Sequence, residues 1–182
     1  MNYGNIKYNC IEDGEGVRIA VFVSGCRNHC KGCFQPQTWD FGFGNPFTDD
    51  VQSKVLKELK KRQYSGISVL GGEPFEEENQ PYVYEFMDKV HSMFPNKTIW
   101  CYTGYVYDKD LIDGGRKHTE YTDKILGLVD ILIDGPFIEE KKNLMLAFRG
   151  SSNQRILQRQ KDGTFQEISN RYDSYTEFNK KA

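Results

Sequence analysis

Apolar positions along the chain fall into short runs that alternate with helically spaced ones. Val17 to Ser24 (VRIAVFVS) is a β-branched and aromatic run ending at Gly25, the pattern of a buried strand. From Thr48 the spacing changes, with Val51, Val55, Leu56 and Leu59 on one helical face. Thr48 is placed to cap this helix, and Asp49 and Asp50 complement its dipole. A strand over Gly66 to Leu70 stops at Gly71-Gly72. A second helix follows, with Val83, Phe86, Met87, Val90 and Phe94 on one face. Lys97 to Tyr102 reads as the next strand, and helical material then runs to about Leu128, broken at Gly114-Gly115. Val129 to Ile133 is another strand. The last begins near Gln154, and Lys161-Asp162-Gly163 is placed to turn it into a hairpin. Met1 to Gly16 is polar. The tail after Asp162 is polar, with the composition of a mobile end, and no function is read from it.

Strands alternating with helices predict an α/β fold with a parallel sheet and right-handed crossovers. A closed eight-stranded barrel takes about 250 residues, so 182 residues fit an open, partial (β/α) barrel of mostly parallel strands. The expected division is one domain over 1–160 and a polar C-terminal hairpin or tail over 161–182. In such sheets ligands bind beyond the carboxyl ends of the strands. Those ends here read SGC, LGGE, YTG and IDGP, each with a glycine where backbone turns sharply or approaches a ligand closely. The active site is expected there.

Charge and composition narrow the partners. Lys plus Arg number 24 against 26 Asp plus Glu, a net charge of −2, and the basic residues are scattered, so no nucleic-acid partner is expected. No apolar run approaches the ~18 residues of a membrane span, and the polar N-terminus carries no signal-peptide stretch. The expected location is the cytoplasm.

Three of the five cysteines, Cys26, Cys30 and Cys33, are spaced C-x3-C-x2-C in one loop. An odd count with so tight a cluster reads as a metal site rather than a disulfide framework. Zinc normally takes four protein ligands in a closed tetrahedron. Three thiolates in one loop instead suit a cubane iron–sulfur cluster whose fourth iron stays open. A zinc knuckle completed by His29, Cys10 or Cys101 is the alternative, although His29 is squeezed beside Cys30 and otherwise reads as a solvated loop residue.

C-x3-C-x2-C after the first strand, with Gly71-Gly72-Glu73 after the second, resembles the radical S-adenosylmethionine (SAM) superfamily. Asp13 to Cys26 (DGEGVRIAVFVSGC) and Cys30 to Trp39 (CKGCFQPQTW) are similar to the glycyl-radical activating enzymes. Thr98 to Tyr105, Asp130 to Phe137 and Phe148 to Leu157 (FRGSSNQRIL) resemble the members that activate anaerobic ribonucleoside-triphosphate reductase. The resemblance implies a partial barrel of the radical SAM type in which Cys26, Cys30 and Cys33 ligate a [4Fe–4S] cluster. SAM would chelate the open iron. Backbone at Gly32, Cys33 and Phe34 would line its pocket, Phe34 lying near the adenine. Gly71, Gly72 and Glu73 would receive the methionine ammonium, and Tyr102, Thr103 and Gly104 would face the nucleoside. Gln35 stands where asparagine is commoner in the family.

The implied activity is reductive cleavage of SAM to a 5′-deoxyadenosyl radical, which takes hydrogen from a glycine of anaerobic (class III) ribonucleoside-triphosphate reductase. Reduced flavodoxin or a similar protein is the implied electron donor. Shared motifs leave open an activator of another glycyl-radical enzyme, such as pyruvate formate-lyase, or a small-molecule radical SAM enzyme. From a different class comes a non-enzymatic zinc-binding module.

No Ser-His-Asp set is evident, and the implied chemistry needs no catalytic side chain beyond cluster and SAM. Glu76, Glu77 and Glu78 read as a solvated acidic turn. Cys10 and Cys101 read as packing residues. RGSSNQR (Arg149 to Arg155) reads either as a solvated loop or as a segment that docks a partner or covers the site. Gly72→Val is expected to fill the methionine site and leave the cluster undisturbed.

Overall fold

A computed structural model describes residues 1–178, with side chains through Asp173; the last four residues of the expected 161–182 tail lie outside the described residues. The chain forms one eight-stranded sheet. In sequence order its strands are β1 (Asn2–Cys10), β2 (Val17–Val23), β3 (Asn45–Pro46), β4 (Tyr64–Gly71), β5 (Thr98–Tyr102), β6 (Ile131–Asp134), β7 (Arg155–Arg159) and β8 (Phe165–Glu167). Their spatial order is β3-β1-β2-β4-β5-β6-β7-β8. The central pairs β2–β4, β4–β5 and β5–β6 are parallel. The outer pairs β1–β2, β1–β3, β6–β7 and β7–β8 are antiparallel. The sheet is therefore mixed and not closed, rather than mostly parallel. Its parallel centre is the part that the strand–helix alternation predicts.

Helices α1 (Asp49–Leu59), α2 (Gln80–Met93) and α3 (Thr122–Leu128) lie in the connections between successive parallel strands. The Thr48 hydroxyl accepts from the Val51 amide at 3.4 Å, so the expected cap forms. Val55, Leu56 and Leu59 of α1, and Val83, Phe86, Met87 and Val90 of α2, are buried in one cluster. Ile19, Val21, Val23, Ile67, Val69, Ile99 and Cys101 of the sheet join them there. Burying each such aliphatic side chain contributes about 1.5–3 kcal/mol. The region between β5 and α3 is less helical than expected: it holds a single π-helical turn over Tyr107–Leu111.

The opposite face of the sheet carries the side chains that alternate with the first set. Arg18 is fully buried there, donating to Ser68 Oγ, the carbonyls of Ile67, Thr98 and Glu15, and Thr98 Oγ1. Trp100, Ile131, Ile133 and Ile156 pack with Ile168 and Tyr172. Tyr172 belongs to a helix absent from the sequence reading, α4 (Ser169–Phe178), which follows the expected β7–β8 hairpin. The polar segment after Asp162 thus packs against the sheet through Ile168 and Tyr172. No described helix is long and apolar enough to cross a membrane.

Candidate functional site

The cysteine loop leaves β2 through Gly25, whose φ of +95° only glycine adopts readily. Its backbone is held on two sides. The Gly25 and Cys26 amides donate to the carbonyls of Thr38 and Trp39 at 2.8 and 3.1 Å. The Gly72 and Glu73 amides reach across from the end of β4 to the carbonyls of Val23 and Gly25 at 2.7 and 2.9 Å. Asn79 Nδ2 bridges the two loops, donating to the carbonyls of Ser24 and Glu73. The cysteine loop and the glycine loop are therefore one hydrogen-bonded unit.

A cavity of about 530 Å³ opens at this unit, within the size range of small-molecule sites. Cys26, Cys30 and Cys33 line it together with Phe34, Gly71, Gly72, Glu73, Tyr102, Thr103 and Gly104. All but one of the residues expected at the site converge on it. Gly32 is the exception: it has φ +72° and faces Glu139, whose carboxylate oxygen would lie 2.9 Å from a Cβ added there. Phe34 stands at the rim, 60% exposed, with its ring 5.2 Å from that of Phe137.

Electrostatics in the cavity are set by burial. Cys26 is pushed up to about 12 by burial and by the nearby Glu73 carboxylate, and burial also raises Cys30. Glu73 has no exposed surface, and burial lifts its pKa to about 7 despite hydrogen bonds that favour the anion. Its Oε1 accepts from the Phe75 amide and Thr103 Oγ1, and its Oε2 from the Gly104 amide and Asn28 Nδ2. These four bonds tie the ends of β4 and β5 to the cysteine loop. The Tyr102 hydroxyl is buried near Asp13 and Arg18 and has no hydrogen-bond partner among the described residues.

Residues 12–157 match the family model described as a 4Fe-4S single cluster domain. Three curated proteins, each named anaerobic ribonucleoside-triphosphate reductase-activating protein, are similar to the chain over most of its length. The protein from Pasteurella multocida (strain Pm70) is 36% identical over 160 residues, which is 86% of this chain and 96% of that protein. The one from Escherichia coli (strain K12) is 34% identical over 158 residues, 85% and 96% of the two chains. The one from Enterobacteria phage T4 is 35% identical over 159 residues, 86% and 93%. The chain belongs to the family of the anaerobic ribonucleoside-triphosphate reductase-activating proteins.

The donor set of this family member suits an iron–sulfur cluster. Among the described residues no three His, Cys, Asp or Glu side chains are placed to hold a single metal ion. A structural zinc normally takes four protein ligands, whereas three thiolates from one loop suit a cluster with one iron left open. None of the candidate fourth ligands joins the cysteines. His29 (φ +45°) stacks on Trp39 at 4.6 Å. Cys101 lies in the helix-facing core, and the Cys10 thiol donates to Glu12 and Asp13. Ligation would displace the thiol protons that burial favours, so cluster binding and deprotonation are coupled.

Two sequence-based readings change in this reductase-activating protein relative. Glu76 is not part of a solvated turn: it is fully buried, while Glu78 stays exposed. Its carboxylate accepts from the Arg27 amide and guanidinium at 2.9 Å each, and from Tyr105 Oη and Lys117 Nζ at 2.8 Å each. Burial pushes its pKa up, but these bonds together outweigh burial and hold it below the ordinary carboxylate range. RGSSNQR is not a solvated loop either, because Arg149 and Ser151 are buried. Arg149, Gly150 and Gln154 line the cavity. Asp134, read only as a strand end, is fully buried and clamps Arg155 (2.9 and 2.5 Å) and the Tyr107 amide. Only their partners distinguish Glu76 and Asp134 from surface carboxylates, and those lie 21 to 49 residues away in sequence.

Proposed function

We propose that the chain is a radical SAM activating enzyme that generates a glycyl radical on anaerobic (class III) ribonucleoside-triphosphate reductase. The observation that carries this reading is the convergence of Cys26, Cys30 and Cys33 with Gly71, Gly72 and Glu73 on one cavity, in a chain matching reductase-activating proteins over about 85% of its length. The parallel strands β2, β4, β5 and β6, ending at that cavity, support a partial barrel of the radical SAM type.

The three cysteines would hold the [4Fe–4S] cluster. When bound, the reduced cluster and SAM supply the one-electron cleavage that yields a 5′-deoxyadenosyl radical for hydrogen abstraction. The chain's own residues bind, orient and exclude water. Gly71 and Gly72 let backbone approach the methionine end closely. Glu73 sits beside that position, and a cation there would draw it to its charged form. The buried Tyr102 hydroxyl would find in a polar ligand the partner it lacks. Phe34, with Phe137 and Gly150 behind it, would cover the adenine. A reduced flavodoxin or similar protein would supply the electron.

Anaerobic reconstitution tests the assignment. The wild-type chain should bind iron and sulfide in equal amounts and convert SAM to methionine and 5′-deoxyadenosine under a strong reductant. Cys26→Ala, Cys30→Ala and Cys33→Ala should each abolish the cleavage. Full cleavage in any one of them would contradict the ligand set, and zinc in place of iron would favour a binding module.

A further inference from the structure

α4 lies beyond residue 157, where the match to the cluster domain ends, yet two of its side chains touch residues that line the cavity. Tyr172 is buried and packs edge-on against Phe148 and Trp100, with ring centroids 5.4 and 6.5 Å away. Its hydroxyl donates to Glu15 Oε1 at 3.0 Å, in the connection between β1 and β2. Asp173, the next residue, pairs with Arg149 Nη2. Two consecutive residues of α4 thus grip the loop before β7 and the turn after β1, elements near the two margins of the open sheet.

What α4 holds is the cavity wall at Phe148, Arg149 and Gly150. Phe148 has φ +60°, a left-handed backbone that a bulky residue keeps only where its surroundings hold it there. Its ring contacts both Tyr172 and Trp100, the latter at 5.1 Å. Arg149 is buried. Its Nη1 donates to the Gln154 carbonyl at 3.2 Å, and its Nε has no partner among the described residues. Asp173 supplies a carboxylate opposite this buried cation, and removing it would leave the charge uncompensated. Gly150 carries the constraint to the rim, since a Cβ there would lie 3.0 Å from Phe137 Cδ2 and 3.2 Å from Phe34 Cε2.

We infer that Tyr172 and Asp173 are positioning residues for the adenosyl end of the cavity. Tyr172 fixes Phe148, Asp173 fixes Arg149, and together they set where Gly150 meets Phe34. The choice of ligand rests on the function proposed above, whereas the clamp itself rests on the contacts of α4. Released from Asp173, the Arg149 guanidinium regains hydration by swinging into the cavity that it lines, where SAM must displace it before binding. SAM, once bound, meets the wild-type wall. The methionine end is built differently, because the cysteine and glycine loops are hydrogen-bonded to each other and need nothing from α4.

The test uses the full chain reconstituted with its cluster. Asp173→Ala should weaken SAM binding about tenfold by calorimetry, as losing a supporting partner does to a site, and raise the KM for SAM cleavage in parallel. Its iron content, and kcat at saturating SAM, should stay at wild-type values. Asp173→Glu keeps the carboxylate and should restore SAM binding. Asp162→Ala, which removes an exposed carboxylate from the β7–β8 turn, should bind as wild type does. Hydrogen exchange over residues 146–154 should quicken in Asp173→Ala while β4 and β5 keep their protection. Unchanged SAM affinity would overturn the positioning role, and so would a loss of iron alongside it, which marks general damage. A wild type that binds no SAM would instead overturn the proposed function. Exchange over 146–154 would still decide the clamp, and wild-type exchange there in Asp173→Ala would overturn it.

Discussion

Glu76 shows how a single side chain organises the cysteine loop. Through Arg27 it holds the residue next to Cys26, and through Tyr105 and Lys117 it anchors that residue to the segment after β5. Replacing it by glutamine removes the charge opposite Lys117, which is itself mostly buried. Glu76→Gln should therefore lower the unfolding free energy by about 3 kcal/mol, read from urea denaturation. The pH dependence has a definite sign. Because the folded pKa of Glu76 is depressed, its contribution is fully present above the ordinary carboxylate value of about 4.5 and is lost as pH falls through the folded value. The gap between wild type and Glu76→Gln should be constant from neutral pH to about pH 5 and close below that. A gap that widened in acid would contradict the arrangement. At this scale the cysteines were legible because their spacing states their chemistry. Glu76 was not, since a run of three glutamates looks solvated until Arg27, Tyr105 and Lys117 are folded around the first.

Elements with one clean period were legible, and those whose period is broken were not. α1 and α2 keep their apolar residues at helical spacing, and β2, β4 and β5 are short apolar runs ended by glycine. β1 has register breaks between Tyr3 and Asn5 and between Lys7 and Cys10, so Tyr3, Ile6 and Cys10 never show the alternation of a strand. α4 buries Tyr172, just after Ile168, against Trp100, too little apolar surface to stand out in a polar tail. The glycine loop carries a correction at this scale. A Cβ on Gly72 would lie 2.7 Å from the Gly25 carbonyl oxygen and 3.0 Å from those of Thr38 and Val23. A valine there collides with the backbone that carries Cys26, so it cannot act on the pocket alone. Gly72→Val should lose most of its iron after reconstitution, measured by metal analysis. Full iron content with only weakened SAM binding would restore the sequence-based expectation.

For the whole molecule, strand–helix alternation and glycine-ended strands located the site, because a parallel sheet directs its ligands to the carboxyl ends. Of the antiparallel margins the β7–β8 hairpin was legible from its turn, whereas β1 and the pairing of β7 with β6 were hidden, since no local pattern names those neighbours. Those margins supply part of the cavity lining, Lys7, Glu12 and Asp13 from β1 and the loop after it and Arg149, Gly150 and Gln154 from the segment before β7. The central claim joins cluster, cofactor and partner in one reaction. Electron paramagnetic resonance on the anaerobically reconstituted chain, mixed with SAM, a reductant and the reductase, tests all three together. A glycyl doublet on the reductase, absent when Cys30→Ala replaces the wild type, is the expected result. A reduced-cluster signal that responds to SAM, with no radical on the reductase, would contradict the assignment of the partner.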